Sequence, residues 1–208
     1  MKYLSMFLFV AIPVMVMAEK PVAEVALVEA GAVVMEDDFS SGNLGDRWAA
    51  AKGKWEVVDG VLRGSELKED AHAAVLNLAV PNRNAVVQFD VKLGTAEGFN
   101  VSFNHAKGHL WRVYVSEEGL KLQKDKDKKD PKSKPEELGR AEIALDVDKT
   151  YTVVATFAGP AVVVRLADGS AEVGGSDPVF DTDKPGVRFV MRGEGLEIDN
   201  VKMWEAKE

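Results

Sequence analysis

The segments VVQFDVKL (residues 86–93), FNVSFNH (residues 99–105) and HLWRVYVS (residues 109–116) decide the fold. In each of them apolar and polar side chains alternate with a period of two residues, which is the pattern of a β-strand that buries one face. The odd-numbered residues, such as Phe89 and Trp111, form the apolar set and are expected in the core. Short turns that contain glycine separate the segments, so the sequence predicts three antiparallel strands connected as a meander.

A meander would place the even-numbered side chains of these strands together on one face of a sheet. These side chains are Gln88, Asp90, Asn100, Ser102, Asn104, Arg112 and Tyr114, and Arg188 with Arg192 in VRFVMR extends the set. Planar amides, carboxylates and arginine form hydrogen bonds with sugar hydroxyls, so this face is a candidate glycan-binding surface. The alternative interpretation is that it is only the solvated side of an antiparallel sheet.

The rest of the chain continues the strand pattern. From Trp55 onward there are about eleven short strand candidates and no long helix, which is typical of an antiparallel all-β sandwich or jelly roll. Asp59-Gly60 lies between apolar runs and predicts a tight hairpin. GLKLQKD is expected to pair with HLWRVYVS across Glu118-Gly119, and Gly193-Glu194-Gly195 is expected to form a turn.

The sequence divides into a leader and one domain. Residues 1–18 have the positive start, the apolar run and the small-residue cleavage site of a signal peptide. Residues 19–36 are predicted to be a tether or an edge strand, and residues 37–206 form the sandwich domain. Within it, the charge-dense residues 124–139 are predicted to be a mobile, solvated loop. We therefore expect an exported protein, periplasmic or extracellular, that has no membrane contact once the leader is removed.

Composition excludes several classes of function. The chain has no cysteine, which excludes disulfides, thiolate metal sites and cysteine nucleophiles. Its formal net charge is −8, and an acidic surface argues against nucleic acid and anionic membranes as partners. This charge does not argue against binding of glycans.

Several segments, taken as an ordered set, resemble the concanavalin A-like lectin and glucanase sandwiches. They are the acidic opening with Phe39 and Trp48, the block WEVVDGVL from Trp55, the central strands, and the closing IDNVK from Ile198. Within that superfamily the chain is most similar to the 3-keto-disaccharide hydrolase-like domains of secreted bacterial proteins, over residues 37–206. The resemblance implies two antiparallel sheets with a concave face that holds carbohydrate in relatives, and it implies that the polar set described above belongs to that groove.

The resemblance does not extend to the catalytic motif of laminarinase-like β-glucanases. Those enzymes carry Glu-x-Asp-x-Glu on one strand, because alternate residues share a face and the retaining mechanism needs two carboxyl groups about 5 Å apart. The nearest string is Glu197-Ile198-Asp199-Asn200-Val201, which has a valine where the second glutamate should stand. We therefore do not expect this glucanase activity.

Three functions remain open. The first is a non-catalytic module that binds a glycan on the concave face. The second is a hydrolase of the 3-keto-disaccharide type that cleaves glycosidic bonds with an acid or base among Asp90, His105 and His109, since carboxylates and imidazoles transfer protons in such reactions. Arg112 would then orient the substrate. The third is a structural or adhesion sandwich that has no small ligand.

Metal binding has weaker support in the sequence. His105 and His109 are four residues apart across a turn, a spacing that is usually accidental at a hairpin tip. The aspartates of the charged loop alternate with lysines and do not have the pattern of a calcium loop. The resemblance implies a structural calcium between the opening acidic residue and the closing strand, where Asp38 and Asp199 stand. We expect no other cofactor.

Overall fold

The computed structural model describes residues 28–207, so the predicted leader and the first half of the predicted tether lie outside the described residues. It contains two short 3-10 helices, Lys68–Asp70 and Pro178–Phe180, and no helix within residues 28–207 is long and apolar enough to cross a membrane. The strands are β1 (Glu29–Asp37), β2 (Trp48–Lys52), β3 (Lys54–Val58), β4 (Val61–Ser65), β5 (Ala74–Leu78), β6 (Ala85–Lys92), β7 (Ala96–His105), β8 (Gly108–Ser116), β9 (Gly119–Lys124), β10 (Glu136–Glu142), β11 (Thr150–Ala158), β12 (Ala161–Leu166), β13 (Glu172–Ser176) and β14 (Val187–Lys207).

The strands form two antiparallel sheets that pack face to face. The front sheet has the order β10, β9, β8, β7, the N-terminal part of β14, β5 and β2. The back sheet has the order β13, β12, β11, β6 and the C-terminal part of β14. The other edge of this part of β14 pairs with β4 near its start and with β1 toward its end. β4 pairs in turn with β3.

Strand β14 belongs to both sheets and bends between them. The sequence predicts a turn at Gly193-Glu194-Gly195, but the chain stays extended through it, so the prediction that the strand ends here is wrong. The two glycines have φ values of +75° and +86°, which residues with a Cβ atom rarely adopt. The hydroxyl of Thr95 donates to the Glu194 carbonyl at 3.0 Å and holds the bend in place.

The predicted core parity is confirmed. On β6, β7 and β8 the odd-numbered apolar residues from Val87 to Val115 are all buried. The Phe89 ring lies 6.0 Å from the Phe99 ring and 5.5 Å from the Phe189 ring, measured between centroids, so β6 faces β7 and β14 across the core. Trp111 is fully buried and stacks on Phe103, as expected of a core residue.

The predicted meander is wrong for its first pair of strands. β6 pairs with β11 and β14 in the back sheet, whereas β7 pairs with β8 and β14 in the front sheet. Both strands bury their odd-numbered side chains in the same core, so their even-numbered side chains point to opposite sides of the sandwich. Alternation specifies which side of a strand faces the core. It does not specify which sheet the strand joins.

Other local predictions are confirmed. Asp59-Gly60 forms a tight hairpin, with Val58 paired to Val61 and both turn residues at positive φ. β8 and β9 pair as expected around Glu118-Gly119. β1 pairs with the end of β14.

Candidate functional site

One row of polar side chains crosses the outer surface of the front sheet, which we call the front face. The strand register places Asn77 beside Arg188, Arg188 beside Ser102, Ser102 beside Arg112, and Arg112 beside Gln123. Each residue comes from a different one of five adjacent strands, and all five are hydrogen-bonding groups. At a strand spacing of about 4.8 Å the row, which we call the front row, is about 19 Å long.

A second row runs beside it on the same face and contains Val190, Asn100, Tyr114 and Lys121. The Lys121 ammonium lies 4.2 Å from the centre of the Tyr114 ring, which places a cation against the aromatic face. Asn100 Oδ1 is buried and accepts no hydrogen bond from the residues that the structure describes. A buried acceptor without a donor costs free energy.

Arg112 is held by a carboxylate. Its Nε and Nη2 atoms donate to Asp125 Oδ2 at 3.0 and 2.8 Å. Burial acts to lower the Arg112 pKa, but the hydrogen bonds and the charge of Asp125 act against it, and the net effect raises that pKa. The Asp125 side chain is only 7% exposed, so the pair is largely removed from water. Arg112 is therefore a fixed donor whose charge is already matched.

Arg188 has different surroundings. Its Nε donates to Asn77 Oδ1 at 2.8 Å, and no carboxylate of the described residues forms an ion pair with it. Burial, followed by the positive charge of Arg112, lowers the pKa of Arg188. The front row therefore contains a partly buried guanidinium that has no counterion in residues 28–207.

The two histidines lie at the turn between β7 and β8. His109 Nδ1 is 2.7 Å from Asn104 Oδ1, and because this oxygen only accepts, Nδ1 carries the hydrogen and Nε2 is the free acceptor of a neutral ring. Burial, followed by the charge of Lys128, lowers the pKa of His109, which favours that neutral ring. His105 Nδ1 accepts from the Lys107 amide at 3.2 Å.

Gln88 and Asp90 lie on the outer surface of the back sheet, which we call the back face. Asp90 accepts hydrogen bonds from the Thr152 hydroxyl and, at 2.8 Å, from the Asn200 side-chain amide. Gln88 and Asp90 border a cleft of about 710 Å³. Asp90 is thus a bonded carboxylate on the side of the sandwich opposite to the front row.

The predicted site residues therefore divide into two groups. The front face has Asn100, Asn104, Arg112, Tyr114 and Arg188, with His105 and His109 at its edge, and the back face has Gln88 and Asp90. Asp90 and the two histidines cannot act on one bond, because the core separates them. The single shared surface that the meander prediction required does not exist.

The predicted calcium residues lie on the back side. Burial raises the Asp199 pKa, and the charges of Asp90, Asp38 and Asp37 raise it further. Asp38 accepts hydrogen bonds from the Ser40 hydroxyl and amide, which lower its own pKa. The charge of the cluster suits a cation, but no group of three or more His, Cys, Asp or Glu residues in the described range is arranged to hold a metal ion. Calcium binding here stays a prediction.

Three residues that contribute to the front face are absent from the prediction based on sequence. Asn77 is the only polar residue in the run AVLNL, and this isolation in an apolar strand was a usable indication. Gln123 follows the parity of GLKLQKD, which also identifies it as outward-facing. The alternation of Asp125 with lysines predicts that it lies in the solvated loop. Its pairing with Arg112 depends on a contact between β8 and the loop, which the sequence does not reveal.

No protein-family model and no curated protein sequence matches the chain, but solved structures match its fold. SCLam, a non-specific endo-β-1,3(4)-glucanase from family GH16, has a TM-score of 0.61 and 12% identity, over 86% of this chain and 95% of that chain. LamA from Z. galactanivorans, in complex with laminaritriose and laminaritetraose, has a TM-score of 0.61 and 14% identity, over 85% of this chain and 100% of that chain. The carbohydrate binding module CBM66 from Bacillus subtilis has a TM-score of 0.53 and 14% identity, over 73% of this chain and 95% of that chain. The predicted fold is confirmed: the chain is a concanavalin A-like antiparallel β-sandwich, a fold that carbohydrate-binding modules and glycoside hydrolases share.

Proposed function

We propose that the protein is an exported, non-catalytic module that binds a glycan on its front face. The observation that supports this proposal most strongly is the front row, in which five adjacent strands present hydrogen-bonding side chains in register. A saccharide displays hydroxyl groups along its length, and it is recognised by a small number of well-placed donors and acceptors. A row about 19 Å long has room for several sugar units.

The donors are held in place before a ligand arrives. Asp125 fixes the Arg112 guanidinium, and Asn77 fixes the Nε edge of Arg188. Side chains that are already ordered lose less conformational entropy on binding, so more of the interaction free energy contributes to affinity. Asn100, which lies beside Tyr114 in the second row, adds a planar amide to this face.

The comparisons support a saccharide ligand at the level of the fold. Neighbours with this architecture include a carbohydrate binding module and LamA in complex with laminaritriose and laminaritetraose. We favour binding without catalysis because the predicted acid or base Asp90 lies across the core from His105 and His109 and is bonded to Thr152 and Asn200. The hydrolase alternative would have to work with the two histidines and without this carboxylate.

Binding to a glycan array and titration calorimetry test the proposal. We expect the wild-type protein to bind at least one oligosaccharide, and Asn100→Ala to weaken that binding by about tenfold, as loss of one hydrogen bond would. The matched control is Gln88→Ala, which shortens an amide side chain on the back face and should leave affinity unchanged. Absence of binding to all neutral and acidic glycans would favour a structural or adhesion role, and equal effects of the two variants would place the ligand elsewhere.

Export and calcium binding are further parts of the proposal. We expect residues 1–18 to direct export, and fractionation of cells that express the full chain should recover the protein outside the cytoplasm, whereas a chain lacking these residues should stay inside. For calcium, we expect CaCl₂ to raise the Tm of the wild type relative to EDTA, and to have no such effect on Asp199→Asn. A Tm that does not respond to calcium in the wild type would rule out the site.

A further inference from the structure

The front row differs in charge from the chain as a whole. The formal net charge of the protein is −8, yet the front row contains two arginines and no carboxylate. Two acids lie next to the row: Asp125 accepts hydrogen bonds from Arg112 and, at 3.5 Å, from Gln123, and Glu137, which pairs with Gln123 in the strand register, accepts from Arg140. Both carboxylates are therefore paired with other arginines, and Arg188 has no ion-pair partner among the described residues.

The loop beside the row does not supply a counterion either. Asp127 Oδ1 and Asp130 Oδ1 accept hydrogen bonds from backbone amides of the loop itself. A cleft of about 430 Å³ lies between this loop and the β7–β8 turn, and Lys128 and Lys129 line it together with His109. Asp125, Asp127 and Asp130 line the same cleft, so this end of the front face presents charges of both signs.

The free part of Arg188 has the geometry that a carboxylate requires. Its Nε is occupied by Asn77, which leaves the two terminal nitrogens of the fork. A guanidinium binds a carboxylate through two parallel N–H donors, and it is less hydrated than an ammonium, so it pairs well at a partly buried position. Arg112, which lies two strands away from Arg188, binds the Asp125 carboxylate through two N–H donors.

From this arrangement we infer that the glycan bound on the front face carries carboxylates, as uronic acids do, and that Arg188 pairs with one of them. The inference rests on the proposed glycan-binding function and specifies its ligand class. A neutral hydroxyl would leave the guanidinium charge unmatched beside Arg112, whereas a carboxylate would match it and relieve the repulsion between the two arginines.

The test is calorimetric titration of the full chain, without its leader if export removes it, with oligomers of mannuronate, guluronate, galacturonate and glucuronate. Each oligomer is paired with its carboxyl-reduced neutral counterpart, and sulfated neutral oligosaccharides form a third arm. We expect at least one oligouronate to bind about tenfold or more tightly than its reduced counterpart, since hydrogen bonds to charged groups are stronger than neutral ones. Higher salt should weaken this binding.

Three variants locate the effect. Arg188→Gln should remove the preference for the oligouronate over its reduced counterpart, and Arg188→Lys should restore part of it. Arg63→Gln is the control, because it removes one positive charge from an exposed ion pair with Glu197 on the back sheet, and it should leave the preference unchanged. Circular dichroism confirms that each variant is folded.

The remaining outcomes separate the inference from the function on which it rests. Equal affinity for neutral and uronate oligomers, unaffected by Arg188→Gln, would overturn the inference and leave the proposed glycan binding intact. Preference for sulfated oligosaccharides over uronates would overturn the carboxylate assignment. Binding to none of the saccharides would overturn both.

Discussion

The Phe89 ring on β6 meets the Phe189 ring on β14 edge to face, with centroids 5.5 Å apart and planes at 82°. This contact joins the back sheet to the front sheet at the centre of the core, where both residues are fully buried. Phe189 is the neighbour of Arg188 on the same strand, so the contact that packs the two sheets also fixes the strand that carries this arginine of the front row.

Phe89→Ala is expected to lower the free energy of unfolding by about 3–5 kcal/mol, because it removes a buried ring and leaves a cavity between the sheets. Urea denaturation followed by tryptophan fluorescence measures the change. The control Gln88→Ala removes an outward side chain from the same strand and should change stability by no more than about 0.5 kcal/mol. Similar losses in the two variants would contradict the assignment of the odd-numbered side chains to the core.

Much of the fold could be predicted because it is local. Alternation of side chains is a property of each strand alone, so the burial of Phe89 and Trp111 followed from the sequence. The hairpin at Asp59-Gly60 followed from two adjacent residues that tolerate positive φ. Such features need no knowledge of distant partners.

The front face could be predicted only in part, because it depends on which strands are neighbours. β6 and β7 follow each other in the chain, yet they join different sheets, which moved Gln88 and Asp90 to the back face. The contribution of Arg188 was predicted from its parity, whereas its place in the row depends on β14 lying between β5 and β7. Pairings between residues far apart in sequence are not encoded in the period of a single strand.

Gly195→Ala should destabilise the protein by about 1–3 kcal/mol, because residue 195 has positive φ and an added Cβ would lie 2.3 Å from Thr95 Oγ1. Thermal unfolding monitored by circular dichroism measures the loss. Gly45→Ala is the matched control, since an added Cβ there meets nothing within 4 Å and φ is not positive. If both substitutions have the same effect, the bend of β14 does not depend on glycine at 195.

Lys184→Met is expected to cost about 2–4 kcal/mol of stability, although methionine is apolar and similar in length. The Lys184 ammonium is buried and donates to the carbonyl oxygens of Arg83, Thr182 and Phe180 at 2.8, 2.9 and 3.1 Å. Methionine would leave these acceptors without a donor, and each unpaired buried group carries a desolvation cost. Denaturant titration tests this, and Lys149→Met at an exposed turn is the control. A neutral result for Lys184→Met would show that water replaces the ammonium.

The raised pKa of the Asp199 carboxyl group predicts a specific dependence of stability on pH. Its pKa in the folded protein is raised above the ordinary value of 3.8 by burial and by the charges of Asp90, Asp38 and Asp37, so folding disfavours its ionised form. The folded state therefore binds a proton more readily than the unfolded state. This proton binding stabilises the folded state fully below pH 3.8, and the stabilisation is lost as pH rises through the folded pKa. At neutral pH the ionised group is a net cost.

Asp199→Asn removes this cost because asparagine is uncharged at every pH. We expect the variant to have a higher Tm than the wild type at pH 7 in the presence of EDTA, and this difference to shrink as pH is lowered through the raised pKa of Asp199, where the wild type takes up its proton. Calorimetric scans at a series of pH values measure it. A difference that stays constant over the series, or a lower Tm for the variant at pH 7, would mean that the Asp199 hydrogen bond to the Asn200 amide outweighs the repulsion.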